Sequence, residues 1–147
     1  MNKKIYALAA CIAFAFSMTS CDDDNDDQDY VAPDVLTGRW VLTEVGSLNA
    51  GALNYISAVD GCTPDEIIFE GDTFSSAVSD INIEGNCETV NKQGTWELVD
   101  GNLEFSAEAD NFTRDVLTLT PSTMVLAYSN SDGQLRFNKF TKQTQQD

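Results

Sequence analysis

The 147-residue sequence contains no histidine, and this absence removes several kinds of catalytic site. Histidine is the commonest general base in enzymes, and it activates the nucleophile in Ser-His-Asp and Cys-His arrangements. The sequence also lacks a Gly-x-Ser-x-Gly turn and a phosphate-cradling glycine loop. Carboxylate pairs such as Asp65 with Glu66 or Glu104 with Glu108 occur, but 24 acidic residues produce such pairs by chance. The composition therefore predicts a protein that is not an enzyme.

Basic residues are scarce. The chain has eight Lys and Arg residues against 24 Asp and Glu residues, which gives a formal net charge of −16 at pH 7. A surface of this charge repels the phosphates of nucleic acids and the anionic head groups of lipids. No nucleic-acid partner is predicted.

The N-terminal apolar run is too short to span a bilayer, which takes about 20 apolar residues. Residues 5–16 form an uncharged run of twelve that follows Lys3 and Lys4 and precedes small residues. This arrangement is typical of a secretory signal peptide, predicted here for residues 1–20. The alternative is a short buried helix, which explains neither flank.

"MTSC", Met18 to Cys21, resembles the lipobox of bacterial lipoproteins, in which an aliphatic residue and two small residues precede a cysteine. The resemblance implies cleavage before Cys21 and lipid on its thiol, which would hold the mature chain at the outer membrane. Stable anchoring takes more than one acyl chain, and a lipoprotein modification supplies them. The alternative is an ordinary signal peptide whose cysteine is incidental.

Six of residues 22–29 are aspartates. They repel one another and cannot pack into a core, so residues 21–35 are predicted to form an acidic, disordered tether. The run also resembles the acidic export signal of Bacteroidetes-type lipoproteins, which implies the extracellular face of the outer membrane. The alternative is a plain solvated linker.

Cysteine is sparse, and no two cysteines have the Cys-x-x-Cys spacing of redox-active dithiols. Cys11 and Cys21 belong to the export segment, which leaves Cys62 and Cys87. In an oxidising compartment these two are expected to form a disulfide. Two thiolates without histidine make a poor ligand set, so neither a metal site nor another cofactor is predicted.

From Gly38 onward, short alternating apolar runs are separated by turn residues, a pattern typical of an antiparallel all-β sandwich or barrel. Asp100-Gly101 is the strongest hairpin signal, because type I′ turns favour Asp-Gly. The long connection Ser47–Gly61 is interpreted as a loop with a short helix. Gly-x-Trp-x-Leu occurs at Gly38 and again at Gly94, and both copies are interpreted as strand starts.

Gly38-x-Trp40 followed by a long loop and a meander of hairpins resembles the lipocalin and calycin barrels. The ordered stretches "CTPDEIIFEGDTFS", "GNC", "GTWEL" and "DVLTLTPSTMVLAY" resemble the lipocalin-like domain of small Bacteroidetes-type lipoproteins over residues 36–141, with a polar tail at 142–147. The resemblance implies an up-and-down antiparallel barrel of about eight strands. It also implies a basic residue on the last strand, Arg136 or Lys139, packed over the first-strand tryptophan.

Two functions are open at this point. An eight-stranded barrel holds either packed side chains or one small ligand. The candidates to line its interior are Trp40, Phe69, Phe74, Phe105, Leu119 and Phe137. In the first hypothesis these side chains surround a small apolar ligand. In the second they fill the barrel, and the loops contact another protein or a glycan. A cavity of about 300 Å³ or more would favour the ligand, and a filled interior beside an exposed apolar patch would favour the partner.

Overall fold

The computed structural model describes residues 33–58, 61–108 and 110–144. The predicted signal peptide, the predicted lipid acceptor Cys21 and most of the predicted tether lie outside the described residues. The elements, in chain order, are α1 (Pro33–Leu36), β1 (Gly38–Asn49), β2 (Ala52–Ser57), β3 (Glu66–Glu70), β4 (Thr73–Ile81), β5 (Cys87–Val99), β6 (Asn102–Ala107), β7 (Asp110–Leu119), β8 (Thr123–Ser129) and β9 (Leu135–Gln143). None of the helical structure in these ranges is long and apolar enough to cross a membrane.

The sheet closes on itself through β1. This strand pairs with β9 from Arg39 to Ser47, and it pairs on its other edge first with β3 and then with β2. All pairings are antiparallel, and from β3 to β9 each strand pairs with the next along the chain. Eight strands therefore form a closed barrel, with β2 as an extra strand beside the second half of β1. The predicted antiparallel up-and-down barrel of about eight strands is confirmed.

The helix predicted within Ser47–Gly61 is wrong for the described residues, because this segment continues as a β-hairpin to Ser57. The turn between β1 and β2 consists of Ala50 and Gly51, with φ angles of 50° and 81°. Positive φ at both central residues is what a two-residue type I′ turn requires. The short helix of this fold lies before β1, at Pro33–Leu36.

The two Gly-x-Trp copies occupy different places in the strands. Gly38 begins β1, as predicted, but Gly94 lies inside β5, so its interpretation as a strand start is wrong. Gly94 is the first residue of β5 that pairs with both β4 and β6. A Cβ atom at this position would lie 2.0 Å from the carbonyl oxygen of Ser106, so the close approach of β6 requires glycine here. The Asp100-Gly101 turn has the predicted positive φ angles, 49° and 80°.

Large apolar side chains fill one half of the barrel, which we call the closed end. Leu36, from the short helix, is fully buried there, and the indole N–H of Trp40 donates to the Leu36 carbonyl oxygen at 2.7 Å. The buried cluster consists of Leu36, Trp40, Leu42, Phe69, Phe74, Trp96, Leu103, Phe105, Met124, Leu126 and Phe140. Its members alternate along their strands, so the period-two pattern of the sequence directs them inward.

The second half of the β4–β5 hairpin leaves the barrel. β3 pairs with β4 only as far as Ala77, and β6 pairs with β5 only from Gly94, so residues 78–81 and 87–90 pair only with each other. We call this two-stranded segment the β4–β5 ribbon. A hairpin without further strands is marginally stable in water. The predicted disulfide between Cys62 and Cys87 is present and ties the ribbon to the segment before β3.

Candidate functional site

The barrel interior contains a cavity of about 180 Å³ beyond the aromatic cluster, which we call the inner cavity. The Phe105 and Phe112 rings stack with centroids 4.7 Å apart, and the Phe74 ring meets Phe105 edge-on at 4.8 Å. The apolar floor consists of Ile67, Phe74, Phe105, Phe112, Leu126 and Phe140. Offset and edge-on aromatic contacts of this kind stabilise a fixed surface.

A second space of about 340 Å³ lies toward the open end of the barrel, and we call it the outer depression. It shares Asn138 with the inner cavity, so the two spaces adjoin. Polar and apolar side chains alternate around it: Val45, Ser47, Asn54, Ile56, Tyr128, Asn130, Arg136 and Asn138.

A β-bulge on β1 places the lining of the outer depression. The pairing of β1 with β9 shifts between Leu42 and Glu44, so one extra residue lies at this point. Trp40 and Leu42 face inward before the bulge, whereas Val45 and Ser47 line the outer depression after it. Bulges change which side chains a strand presents to each face of its sheet. The bulge therefore gives β1 a packed end and an open end.

Arg114 lies on β7 where the two spaces meet. Its guanidinium carbon is 4.9 Å from the Phe112 ring centroid and 4.4 Å from that of Tyr128. Arg114 lines the inner cavity, while Tyr128 lines the outer depression. Burial lowers the pKa of Arg114, and the nearby Tyr128 and Asp110 partly oppose that shift. Arginine nevertheless stays protonated in proteins, so Arg114 is a partly desolvated cation.

The other charged groups around the inner cavity have protein partners. Lys92 forms an ion pair with Asp110 at 3.0 Å. Glu66 accepts a hydrogen bond of 2.7 Å from Arg39 on the neighbouring strand. Asp65 accepts a hydrogen bond of 2.8 Å from the backbone N–H of Ser79.

The six residues predicted to line the interior lie in three places: the packed closed end, the floor of the inner cavity and the outer face of β9. Trp40 and Phe69 belong to the packed closed end, and Leu119 is half-buried against the same cluster. Phe74 and Phe105 contribute both to that cluster and to the floor of the inner cavity. The sequence therefore identified side chains that fill the barrel as well as two that line a cavity.

Phe137, the sixth candidate, does not line the barrel, and its prediction as an interior residue is wrong. Its neighbour Asn138 lines the inner cavity, so Phe137 lies on the opposite face of β9, paired with Ala127 and Gly46. The inward aromatic residue of β9 is Phe140. Polar side chains near the open end face inward, so alternation alone assigned the two faces of β9 the wrong way round.

Lys142 is the basic residue packed over Trp40. Its ammonium nitrogen lies 5.3 Å from the indole ring centroid and donates to the Val35 carbonyl oxygen at 2.8 Å. The implied candidates Arg136 and Lys139 are wrong: Arg136 lines the outer depression, and Lys139 pairs with Glu44. The pKa of Lys139 is raised, chiefly by its hydrogen bond to Glu44. Lys142 was missed because the barrel was predicted to end at residue 141, whereas β9 continues to Gln143.

Sequence reasoning also missed Phe112, Arg114 and Tyr128. The stretch "DVLTLTPSTMVLAY", on which the interpretation of this region depended, begins at Asp115, whereas β7 begins at Asp110. Phe112 and Arg114 are two residues apart, so they share the inward face with the apolar residues that follow. The sequence did contain a signal for this site. Arg114 is a positively charged residue between the apolar residues Phe112 and Val116 on one face of the strand.

Other surfaces of the described chain offer less to a ligand. Two larger depressions, of about 520 and 660 Å³, run along β4, β5 and the β6–β7 turn. They are open to solvent and lined mainly by polar residues such as Ser75, Gln93 and Glu108. Within the described ranges, no group of three His, Cys, Asp or Glu side chains could hold a metal ion.

Several solved structures are similar to this chain. The structure of a lipocalin-like protein from Bacteroides uniformis is 18% identical, covers 74% of this chain and 99% of its own, and has a TM-score of 0.49. An uncharacterized protein from Bacteroides eggerthii is 18% identical with the same coverages and a TM-score of 0.47. Bovine odorant binding protein, complexed with its natural ligand, is 20% identical over 77% of this chain and 74% of its own, with a TM-score of 0.48.

No curated protein matches the sequence. The family model described as a lipocalin-like domain matches residues 36–126, which is more than half of the chain. This match contains the first strand, the disulfide-bonded cysteines, every residue of the apolar floor except Phe140, and Arg114. The chain therefore belongs to the lipocalin-like domain family.

Proposed function

We propose that this protein binds one small, mainly apolar ligand in the inner cavity and is not an enzyme. The observation that carries the proposal is the lining of that cavity, with an aromatic and aliphatic floor and polar side chains around it. Binding sites for small molecules typically combine an apolar lining with a few polar groups that orient the ligand. Membership of the lipocalin-like family favours the same function.

The size of the inner cavity limits the ligand. Its volume of about 180 Å³ lies below the range of about 300–1,000 Å³ that is usual for drug-sized ligands. An apolar cavity of about 150 Å³ is nevertheless sufficient to bind benzene. The inner cavity therefore accommodates one aromatic ring or a short aliphatic chain, and any further part of the ligand extends into the outer depression.

Val78 offers a direct test, because it lines the inner cavity and is 46% exposed. Val78→Trp should fill part of the inner cavity while leaving its apolar floor intact. The matched control is Val99→Trp, at a position on β5 that is 39% exposed and lines neither space.

The readout is the thermal midpoint with a panel of small aromatic and aliphatic compounds, since a ligand that binds only the folded state raises the midpoint. Binding to the wild type and to Val99→Trp, but not to Val78→Trp, would support the proposal. Equal binding to all three proteins would place the ligand elsewhere. An absence of binding across the panel would reject the function.

Contact with another protein or a glycan is the second candidate function. The tip of the β4–β5 hairpin favours it, because Ile81 and the fully exposed Ile83 present apolar side chains to solvent there. Contiguous exposed apolar surface is a mark of interaction sites. Replacement of both residues by serine should abolish chemical cross-linking to a partner at the cell surface if this function is correct, and should leave ligand binding unchanged.

For location, we propose a lipid anchor on Cys21 that holds the protein at the extracellular face of the outer membrane. The lipobox-like "MTSC" and the aspartate run that follows it support this location. Mass spectrometry of the membrane fraction should find acyl chains on Cys21, and Cys21→Ser should release the protein from the membrane. Protease added to intact cells should degrade the wild-type protein if it faces outward. Full membrane retention of Cys21→Ser would refute the anchor.

A further inference from the structure

Arg114 lies beside both the inner cavity and the outer depression. It lines the first space, and its guanidinium carbon lies 4.4 Å from the ring centroid of Tyr128, which lines the second. Phe112, a floor residue, lies 4.9 Å from the same carbon. A guanidinium beside two aromatic rings is held by cation–π attraction. Its position is therefore set by the protein before any ligand binds.

The donors of Arg114 are mostly unused by the described protein. The side chain makes one hydrogen bond, from Nη1 to the Thr113 carbonyl oxygen at 2.9 Å, although a guanidinium carries five N–H groups. In the described ranges, no carboxylate oxygen lies within 4.0 Å of it. A cation removed from water without an opposite charge is unfavourable, and a bound anion would relieve that cost.

We propose that the ligand is a small organic carboxylate, with its compact apolar body in the inner cavity and its carboxylate group on Arg114. This inference rests on the proposed function and names the chemical class of ligand for the same site. A carboxylate matches the fork of guanidinium N–H groups, which can donate two parallel hydrogen bonds to it. The volume of the inner cavity limits the body to about one aromatic ring.

The charge of the whole protein does not oppose this assignment strongly. The chain is acidic, with a formal net charge of −16, but charges more than about 8–10 Å away are largely screened at physiological salt. The charges close to the inner cavity therefore determine whether an anion can bind there. Asp110 is paired with Lys92, and Glu66 is paired with Arg39. Arg114 is the cation at this site that lacks a carboxylate partner in the described ranges.

A ligand of opposite charge is the main competing class, because an organic cation could use the carboxylates and the aromatic rings. The three acidic side chains that line the inner cavity already have hydrogen-bond or ion-pair partners in the protein. A ligand cation would have to compete with those partners, whereas a carboxylate would displace none of them. The observations therefore favour the anion.

Three probes with the same apolar body separate these classes: hydrocinnamate, its neutral amide and the corresponding primary amine. Their dissociation constants for the purified full chain would be measured by titration calorimetry. Hydrocinnamate should bind at least about tenfold more tightly than the amide, as expected for a charge-assisted bidentate pair. The amine should bind most weakly. Raising the salt concentration should weaken hydrocinnamate binding and leave the amide unaffected.

Arg114→Gln should remove the preference for hydrocinnamate over the amide, and Arg114→Lys should retain part of it because the charge remains. Lys139→Gln is the matched control, since Lys139 is a partly exposed cation that is paired with Glu44 and lines neither space. This control should retain the full preference. If Arg114→Gln does not fold, Arg114→Lys and the probe comparison on the wild type still decide the question.

The outcomes separate this inference from the proposed function. Equal binding of hydrocinnamate and its amide, or tighter binding of the amine, would overturn the carboxylate assignment while leaving a small-ligand function in place. An unchanged preference in a folded Arg114→Gln variant would also overturn it. Binding of none of the three probes, together with a negative thermal screen, would reject the proposed function itself.

Discussion

The ammonium group of Lys142 lies 5.3 Å from the centre of the Trp40 ring and donates a hydrogen bond to the Val35 carbonyl oxygen. The indole N–H of Trp40 donates to the next carbonyl, that of Leu36. Both donors therefore satisfy carbonyl groups at the end of the short helix, where no following turn donates N–H groups to them. This arrangement joins the helix, the first strand and the last strand at the closed end.

Lys142→Met tests this arrangement, because methionine retains much of the aliphatic stem and removes the ammonium group. The free energy of unfolding should fall by about 1–3 kcal/mol, since the variant leaves a partly buried carbonyl without its donor and loses the cation–π contact. Urea denaturation measures the change. Arg39→Met is the control: an exposed ion pair contributes at most about 1 kcal/mol. A Lys142→Met variant as stable as the wild type would show that the contact has no stabilising effect.

Removal of the disulfide should destabilise the β4–β5 ribbon first. The bond closes a loop with a sequence separation of 25, for which the chain-entropy model gives up to about 3.5 kcal/mol. A Cys62→Ala, Cys87→Ala double variant should therefore lose stability by up to that amount. Amide hydrogen exchange should accelerate at residues 78–81 and 87–90 more than in β8 and β9. Uniform acceleration in all strands would argue against a local role, and unchanged exchange would argue against any role.

The two hairpin turns show how far turn chemistry can be read from the sequence. Asp100-Gly101 was predicted because both residue types tolerate positive φ. Ala50-Gly51 has the same backbone signs but contains alanine, which carries no such signal. The second half of β1 and the whole of β2 were therefore interpreted as a loop with a short helix. Local rules succeed where the residue suits its conformation and fail where tertiary structure imposes it.

The lining of the open end could not be read from alternation for a different reason. Arg114, Asn138 and Arg136 line the two spaces, yet their polarity is that of a solvent-facing surface. Phe137 lies on the outer face of β9. In this part of β9 the polar side chains therefore point inward and the apolar ones outward. The bulge on β1 also changes the face of the residues that follow it. The packed end, where every inward residue is apolar, was predicted more accurately.

Ala50→Gly should stabilise the protein. Alanine in the left-handed region costs about 1–2 kcal/mol relative to its ordinary conformations, while glycine adopts this region freely. After the greater backbone entropy of glycine in the unfolded chain is subtracted, a gain of about 0.5–1 kcal/mol in unfolding free energy is expected. Ala52→Gly, two residues later in β2, is the control and should lower stability. A loss of stability in Ala50→Gly would contradict the positive φ at this turn.

Gly94→Ala should be among the most damaging single-methyl additions in this chain. The new Cβ would lie 2.0 Å from the Ser106 carbonyl oxygen, and a backbone atom in the middle of a β-ladder cannot move aside without separating β5 from β6. We expect a loss of about 3 kcal/mol or more, at the upper end of the cost of overpacking.

Gly46→Ala is the matched control for that substitution. Gly46 is also a strand glycine, but the nearest atom to its added Cβ belongs to the Tyr55 ring at 2.8 Å, and Tyr55 is a half-buried residue of the extra strand. Because a side chain can shift more readily than a paired backbone, Gly46→Ala should cost less than Gly94→Ala. Urea denaturation of both variants measures the difference. Equal losses, or a larger loss in Gly46→Ala, would show that β6 does not approach β5 as closely as the structure describes.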